Sequence, residues 1–188
     1  MRPKAVAAEP PLPAEYFRFF DLPDALKIDL ADLEKRYYAL SRKWHPDRYA
    51  RRSEAERSEA EQNTALLNDA YRTLKDPVRR AEYVLSENGL AAAQQSAPPD
   101  LLEEVFELNM ALEEIRDGDT SVRPQLEEAQ TKFAGMQDEI DRSLQSEFEK
   151  YDGGGESLGR IRAILNRRNY IRNLLRDVGK ALQNSTHN

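Results

Sequence analysis

Apolar residues recur along this chain at helical spacing, and no β-branched run alternates with the period of a strand. Leu30, Leu33, Tyr37, Leu40 and Trp44 step by 3, 4, 3 and 4, one face of a helix that Asp29 caps. Pro46 has no N–H and disfavours the helical region for His45, so this helix is expected to end at Trp44 and pass into a loop. An aromatic-rich stretch, residues 14–20, predicts a short helix before it. Leu67, Ala70, Tyr71 and Leu74 predict another after it, with a capping box at Ser53/Glu56 or Ser58/Glu61, the second being favoured. Asp76 then caps and Pro77 opens a short helix that Asn88-Gly89 stops.

The second half reads as three longer helices. Leu101, Val105, Leu108, Leu112 and Ile115 form the stripe of the first, which Asp100 is expected to cap and Asp117-Gly118-Asp119 to end. Leu126, Ala129, Phe133, Met136, Ile140, Leu144, Phe148 and Tyr151 form the second stripe. Past Gly153-Gly154-Gly155, Ile161, Ile164, Ile171, Leu175, Val178 and Leu182 form the third, with Leu165, Tyr170 and Leu174 beside it. The expectation is an all-α chain. A leader at 1–13 precedes a first domain at 14–88, and a linker at 89–99 leads to a three-helix domain at 100–184.

Charge sharpens this picture. The net charge of -6 hides a segregation: residues 33–52 carry seven bases and two acids, and residues 100–151 carry fifteen acids and five bases. The basic block predicts an acidic protein partner, because blocks of charge steer encounter. Nucleic acid is not expected, since the rest of the chain is acidic and no aromatic-basic sheet motif appears. The chain has no cysteine, which removes thiol chemistry and Cys-based metal sites. No run approaches the length of a membrane span, and a cytoplasmic protein is expected. There is no nucleophile–base pair, and Gly153-Gly154-Gly155 lacks the lysine of a phosphate loop. Neither catalysis nor a cofactor is expected, and His45 with Asp47 lacks the further ligands a metal needs.

Tyr37, Leu40, Lys43, Trp44 and His45-Pro46-Asp47, followed by Ala70-Tyr71, Leu74, Asp76-Pro77, Arg80 and Tyr83, resemble the second and third helices of J domains and their signature tripeptide. Phe20-Asp21-Leu22-Pro23 matches the turn that J domains place before them. Arg80-Ala81-Glu82-Tyr83 and the trailing three helices extend the likeness to HscB-type co-chaperones of iron–sulfur cluster assembly. That resemblance implies two partners. His45, Pro46 and Asp47, with Arg36, Arg42 and Lys43, would contact the ATPase domain of a seventy-kilodalton heat-shock chaperone. Leu102, Phe106, Glu107, Met110 and Glu114, with Tyr170 on the last helix, would hold the scaffold protein IscU.

Each assignment has a plainer alternative. The tripeptide could be a helix stop, the basic residues a solvated face, and Leu102 and Phe106 part of a wide core face. Glu34 and Tyr38 stand where many J domains carry a base, and Glu103 and Met110 exchange the apolar and acidic characters expected of the client helix. The reading is a co-chaperone that stimulates the chaperone's ATPase and delivers the scaffold to it. The alternatives are a J-domain protein with another client, or a structural or oligomerisation protein with an inactive J domain.

Overall fold

A computed structural model describes residues 15–23, 25–90 and 97–185. The expected leader and most of the expected linker lie outside the described residues. Among those described there is no strand. The chain divides into two compact units, residues 1–84 and 85–188.

The first unit holds α1 (Glu15–Phe19), α2 (Leu30–Trp44), α3 (Pro46–Tyr49), α4 (Glu54–Lys75) and most of α5 (Pro77–Glu87). The loop expected after Trp44 thus contains a single helical turn. α1 ends in a Schellman turn: Leu22 N–H reaches the Phe17 carbonyl at 2.9 Å and Asp21 N–H the Arg18 carbonyl at 3.0 Å, with Asp21 at φ +52°. Asp29 caps α2 as expected, accepting from the N–H groups of Ala31 and Asp32. α2 and α4 pack together and, with α1 and α5, bury Phe17, Phe20, Leu33, Leu67, Ala70 and Leu74. Tyr37 and Tyr71 stack between α2 and α4 with centroids 4.2 Å apart.

Two details depart from the sequence expectation or extend it. α4 starts at Ser53 and not at Ser58. The Ser53 hydroxyl accepts from Glu56 N–H, and the Glu56 carboxylate accepts from Ser53 N–H at 3.0 Å. At the other end, Arg80 is buried and donates to the Leu74 carbonyl at 2.6 Å; burial pulls its guanidinium down to about 10, still charged at neutral pH. Asp76 caps α5 through Val78 and Arg79 N–H.

The second unit consists of a 3-10 turn (Pro99–Leu101), α6 (Leu102–Arg116), a second 3-10 turn (Thr120–Val122), α7 (Arg123–Glu149) and α8 (Gly155–Asn184). α7 and α8 pack along each other most extensively, and α6 lies against both. The core contains the expected α6 stripe, with Leu126, Phe133 and Ile140 of α7. Each fully buried Leu or Phe contributes roughly 1.5–3 kcal/mol.

On α8 the buried stripe is Leu158, Ile161, Leu165, Ile171, Leu174, Val178 and Leu182. Leu165 and Leu174 therefore take core places, while Ile164 and Leu175, expected there, are only partly buried. The expected cap by Asp100 is absent: its carboxylate binds the Arg167 guanidinium through two bonds of 2.9 and 2.8 Å, which holds the acid below its ordinary range. α6 ends as expected at Gly118, which sits at φ +98° in a second Schellman turn. In the α7–α8 loop Gly153 takes φ +77°, Asp152 accepts from Gly154 N–H and the Ser157 hydroxyl, and Gly155 is already helical.

The two serines give a direct test of where α4 begins. Ser53→Ala should lower stability by about 1 kcal/mol in urea unfolding, whereas Ser58→Ala should leave it within about 0.5 kcal/mol. The reverse order would move the helix start to Ser58.

Candidate functional site

The last four carbonyls of an α-helix have no partner within it. In α2 three of them find partners outside. Arg48 Nη1 donates to the Arg42 carbonyl at 3.1 Å and the Tyr49 hydroxyl to the Lys43 carbonyl at 3.3 Å. The Thr64 hydroxyl, on α4, shares its one proton between the Ala60 carbonyl at 2.8 Å and the Trp44 carbonyl at 3.1 Å. Trp44 stacks on Tyr49 at 6.1 Å, and Lys43 Nζ stands 4.7 Å from the Trp44 ring centroid. The chain can therefore stop at Pro46 without leaving the helix end bare.

This framework presents the tripeptide outward. His45 caps α3: its Nδ1 accepts from Asp47 N–H at 3.3 Å, and Arg48 N–H returns to the His45 carbonyl at 3.0 Å. Because Nδ1 accepts, the neutral ring carries its proton on Nε2, as an exposed donor. The side chains of His45 and Asp47 are 55% and 90% exposed, with Nδ1 3.6 Å from the Asp47 carboxylate. The turn thus offers a fixed donor and a solvated carboxylate side by side.

The three expected basic partners divide. Arg42 and Lys43 are exposed in the last turn of α2 beside the tripeptide. Arg36 is engaged elsewhere. It donates to the carbonyls of Phe20 and Asp21 at 2.9 and 2.7 Å and to Asp32 at 2.7 Å, so it clamps the left-handed turn at Asp21. The Asp32 carboxylate first, and then that of Asp21, hold its guanidinium above its ordinary value against the effect of burial.

On α6 the apolar residues lie on two sides. The core stripe is buried, yet Leu102, Phe106 and Met110 are 57%, 66% and 48% exposed. They stand at successive steps of four, so they form one outward stripe. Glu103, Glu107 and Glu114 are exposed around them. A wide core face is thereby excluded for these residues. Tyr170 packs half-buried against the core cluster and lines a cleft with Pro98, Pro99 and Asp100. Burial pushes its hydroxyl up from the usual range. Among the described residues no cluster of His, Cys, Asp and Glu could hold a metal ion, and no helix is long and apolar enough to cross a membrane.

Residues 16–83 match the family model of the DnaJ domain, and residues 97–179 match that of the HSCB C-terminal oligomerisation domain. The chain is 37% identical over 134 residues to a co-chaperone protein HscB homolog of Shewanella baltica (strain OS195), an alignment covering 69% of this chain and 75% of that protein. The chain belongs to the HscB co-chaperone family. A homolog from Vibrio cholerae (serotype O1, strain N16961) is 41% identical over 103 residues, covering 53% and 60% of the two chains. The structure of chaperone HscB from Vibrio cholerae matches with a TM-score of 0.62 at 32% identity, over 91% of this chain and 99% of that one. Human co-chaperone protein HscB matches with a TM-score of 0.66 at 26% identity, over 92% and 83%. The resemblance drawn from the tripeptide and its flanks thus holds over both units, and the all-α class with it.

Arg48, Tyr49 and Thr64 are the site residues that the sequence did not single out. Pro46 signals that the α2 carbonyls need partners, but nothing in the sequence says that Thr64, twenty positions on from Trp44, would supply one. Thr64→Val keeps the shape and removes that donor. It should cost about 1 kcal/mol in urea unfolding and speed exchange of the Arg48 amide, measured by NMR, by about tenfold. Unchanged exchange would show that the turn does not depend on this cap.

Proposed function

We propose that this HscB-family co-chaperone stimulates ATP hydrolysis by a seventy-kilodalton heat-shock chaperone and delivers the iron–sulfur scaffold protein IscU to it, assisting cluster assembly. The J-domain turn is the chaperone-facing site. His45, Pro46 and Asp47 make the specific contact, and Arg42 and Lys43 steer an acidic chaperone surface toward them. Such exposed charges act mainly on encounter rate and salt dependence. Arg36 supports the site through the Asp21 turn rather than by contact.

One observation carries the client half: the exposed Leu102-Phe106-Met110 stripe with its glutamate rim. An apolar stripe of this kind costs free energy in water unless a partner covers it. Large apolar side chains at the centre of a polar rim are where binding energy concentrates. Tyr170, on α8, is assigned to the same client on the family resemblance. Because one chain carries both sites, a bound client meets the chaperone at raised effective concentration.

Two single variants separate the halves. His45→Gln should abolish stimulation of the chaperone's steady-state ATPase while leaving scaffold affinity, measured by calorimetry, unchanged. Phe106→Ala should weaken the scaffold at least tenfold and leave scaffold-independent stimulation intact. Wild-type stimulation by His45→Gln would remove the chaperone assignment. Undiminished scaffold affinity in Phe106→Ala would point to another client or to a structural role.

A further inference from the structure

Among the described residues, the large apolar side chains left in water fall into two groups. Leu102, Phe106 and Met110 make the α6 stripe. The other two, Leu30 and Tyr38, stand on α2, 50% and 55% exposed. They belong to one row at steps of four, Leu30, Glu34, Tyr38 and Arg42, and every member of it is exposed. The row leads into the tripeptide at the end of the same helix. Tyr38 lies one turn before Arg42 and seven residues before His45, roughly 10 Å along the axis.

Little of Tyr38 is used inside the fold, yet its base is braced. Its ring meets that of Tyr37 edge-on, with centroids 5.5 Å apart and planes at 67°. Tyr37 is itself held from α4: it stacks on Tyr71, and its hydroxyl donates to Asn68 Oδ1 at 3.1 Å. The neighbours of Tyr38 one turn away, Glu34, Lys35 and Arg42, are exposed and charged. A braced aromatic ringed by charge is where binding energy concentrates, because the ring buries much area at small entropic cost. The size of the contact points the same way. A specific protein–protein interface draws on about 20–30 residues a side. The tripeptide with Arg42 and Lys43 supplies five, so the footprint runs on over adjoining surface. Past the tripeptide that surface is Arg48, Arg51 and Arg52, with no exposed large apolar side chain among the described residues. Along α2 it is Tyr38.

From this geometry we infer that Tyr38 is an apolar anchor for the chaperone that the tripeptide faces, seated in an apolar pocket next to the acidic surface that Arg42 and Lys43 meet. The inference rests on the chaperone reading above for the identity of the partner. Glu34 sets the boundary: a carboxylate one turn before Tyr38 would be repelled by an acidic surface, so the acidic contact is confined to the tripeptide end of α2. The pocket therefore selects an aromatic ring at this position over a base, and Tyr38 determines which chaperone surface fits.

The test is steady-state ATP hydrolysis by the partner chaperone, read on the full chain as the concentration of this protein that gives half-maximal stimulation. Tyr38→Ala should raise that concentration about tenfold, whereas Tyr38→Phe, which keeps the ring, should stay within about twofold of the wild type. Tyr38→Lys supplies the base that many J domains carry there and should be as weak as Tyr38→Ala. The loss in Tyr38→Ala should persist at high salt, while the loss in Arg42→Ala should shrink as salt screens the charge. The melting temperature of Tyr38→Ala should match the wild type, because the side chain is exposed. Wild-type stimulation by Tyr38→Ala, or stimulation by Tyr38→Lys equal to or better than the wild type, would overturn the inference. A clear fall in melting temperature for Tyr38→Ala would make the ring a brace for Tyr37 and would overturn it too. Normal stimulation by Tyr38→Ala beside a dead His45→Gln would sink the anchor and spare the chaperone reading. A wild-type chain that stimulates nothing would sink both.

Discussion

Three carbonyls at the end of α2 govern the exposed half of the J domain. Pro46 forbids the helix from continuing, so the oxygens of Arg42, Lys43 and Trp44 must be satisfied from outside or left to water. Arg48 and Tyr49, just past the proline, turn back to cap two of them, and Thr64 reaches across from α4 to the third. These bonds fix the path of the chain through the turn. They explain how His45 and Asp47 can be largely solvent-exposed yet held in one geometry, with α3 as a single capped turn. An exposed loop without such caps would have to become ordered on docking, and that loss of entropy would lower affinity.

The second unit meets a different constraint. α6 carries more apolar surface than the core can use. Val105, Leu108, Leu112 and Ile115 close against α7 and α8, and the other side keeps Leu102, Phe106 and Met110 in water. The glutamates around that stripe keep the surface soluble while leaving its centre available. Keeping that stripe in water costs the isolated fold something.

What could be read from the sequence was what local chemistry decides. The helix from Leu30 to Trp44, the cap at Asp29, the Asp76-Pro77 start and the breaks at Gly118 and Gly153 all depend on near neighbours, and each stands in the structure, although Leu30 itself is half exposed. The exposure of Leu102 and Phe106 was also legible as surplus beyond one stripe. What escaped depends on distant residues. Asp100 has the sequence of a cap, but Arg167 takes its carboxylate from α8. Arg36 has the sequence of a docking cation, but Phe20 and Asp21 claim it. Over thirty residues of α8 the buried face drifts, so Leu165 and Leu174 displace Ile164 and Leu175 from the core. The choice of Ser53 over Ser58 turns on which serine lies outside the helix, where both had the same pattern.

Coupling of the two halves is tested most directly by steady-state ATP hydrolysis of the partner seventy-kilodalton chaperone, measured as this protein is titrated in with and without IscU. Hydrolysis should rise with this protein alone and rise further when IscU is present, because the client then arrives on the same chain as the J-domain turn. No rise, or a rise indifferent to IscU, would contradict that coupling.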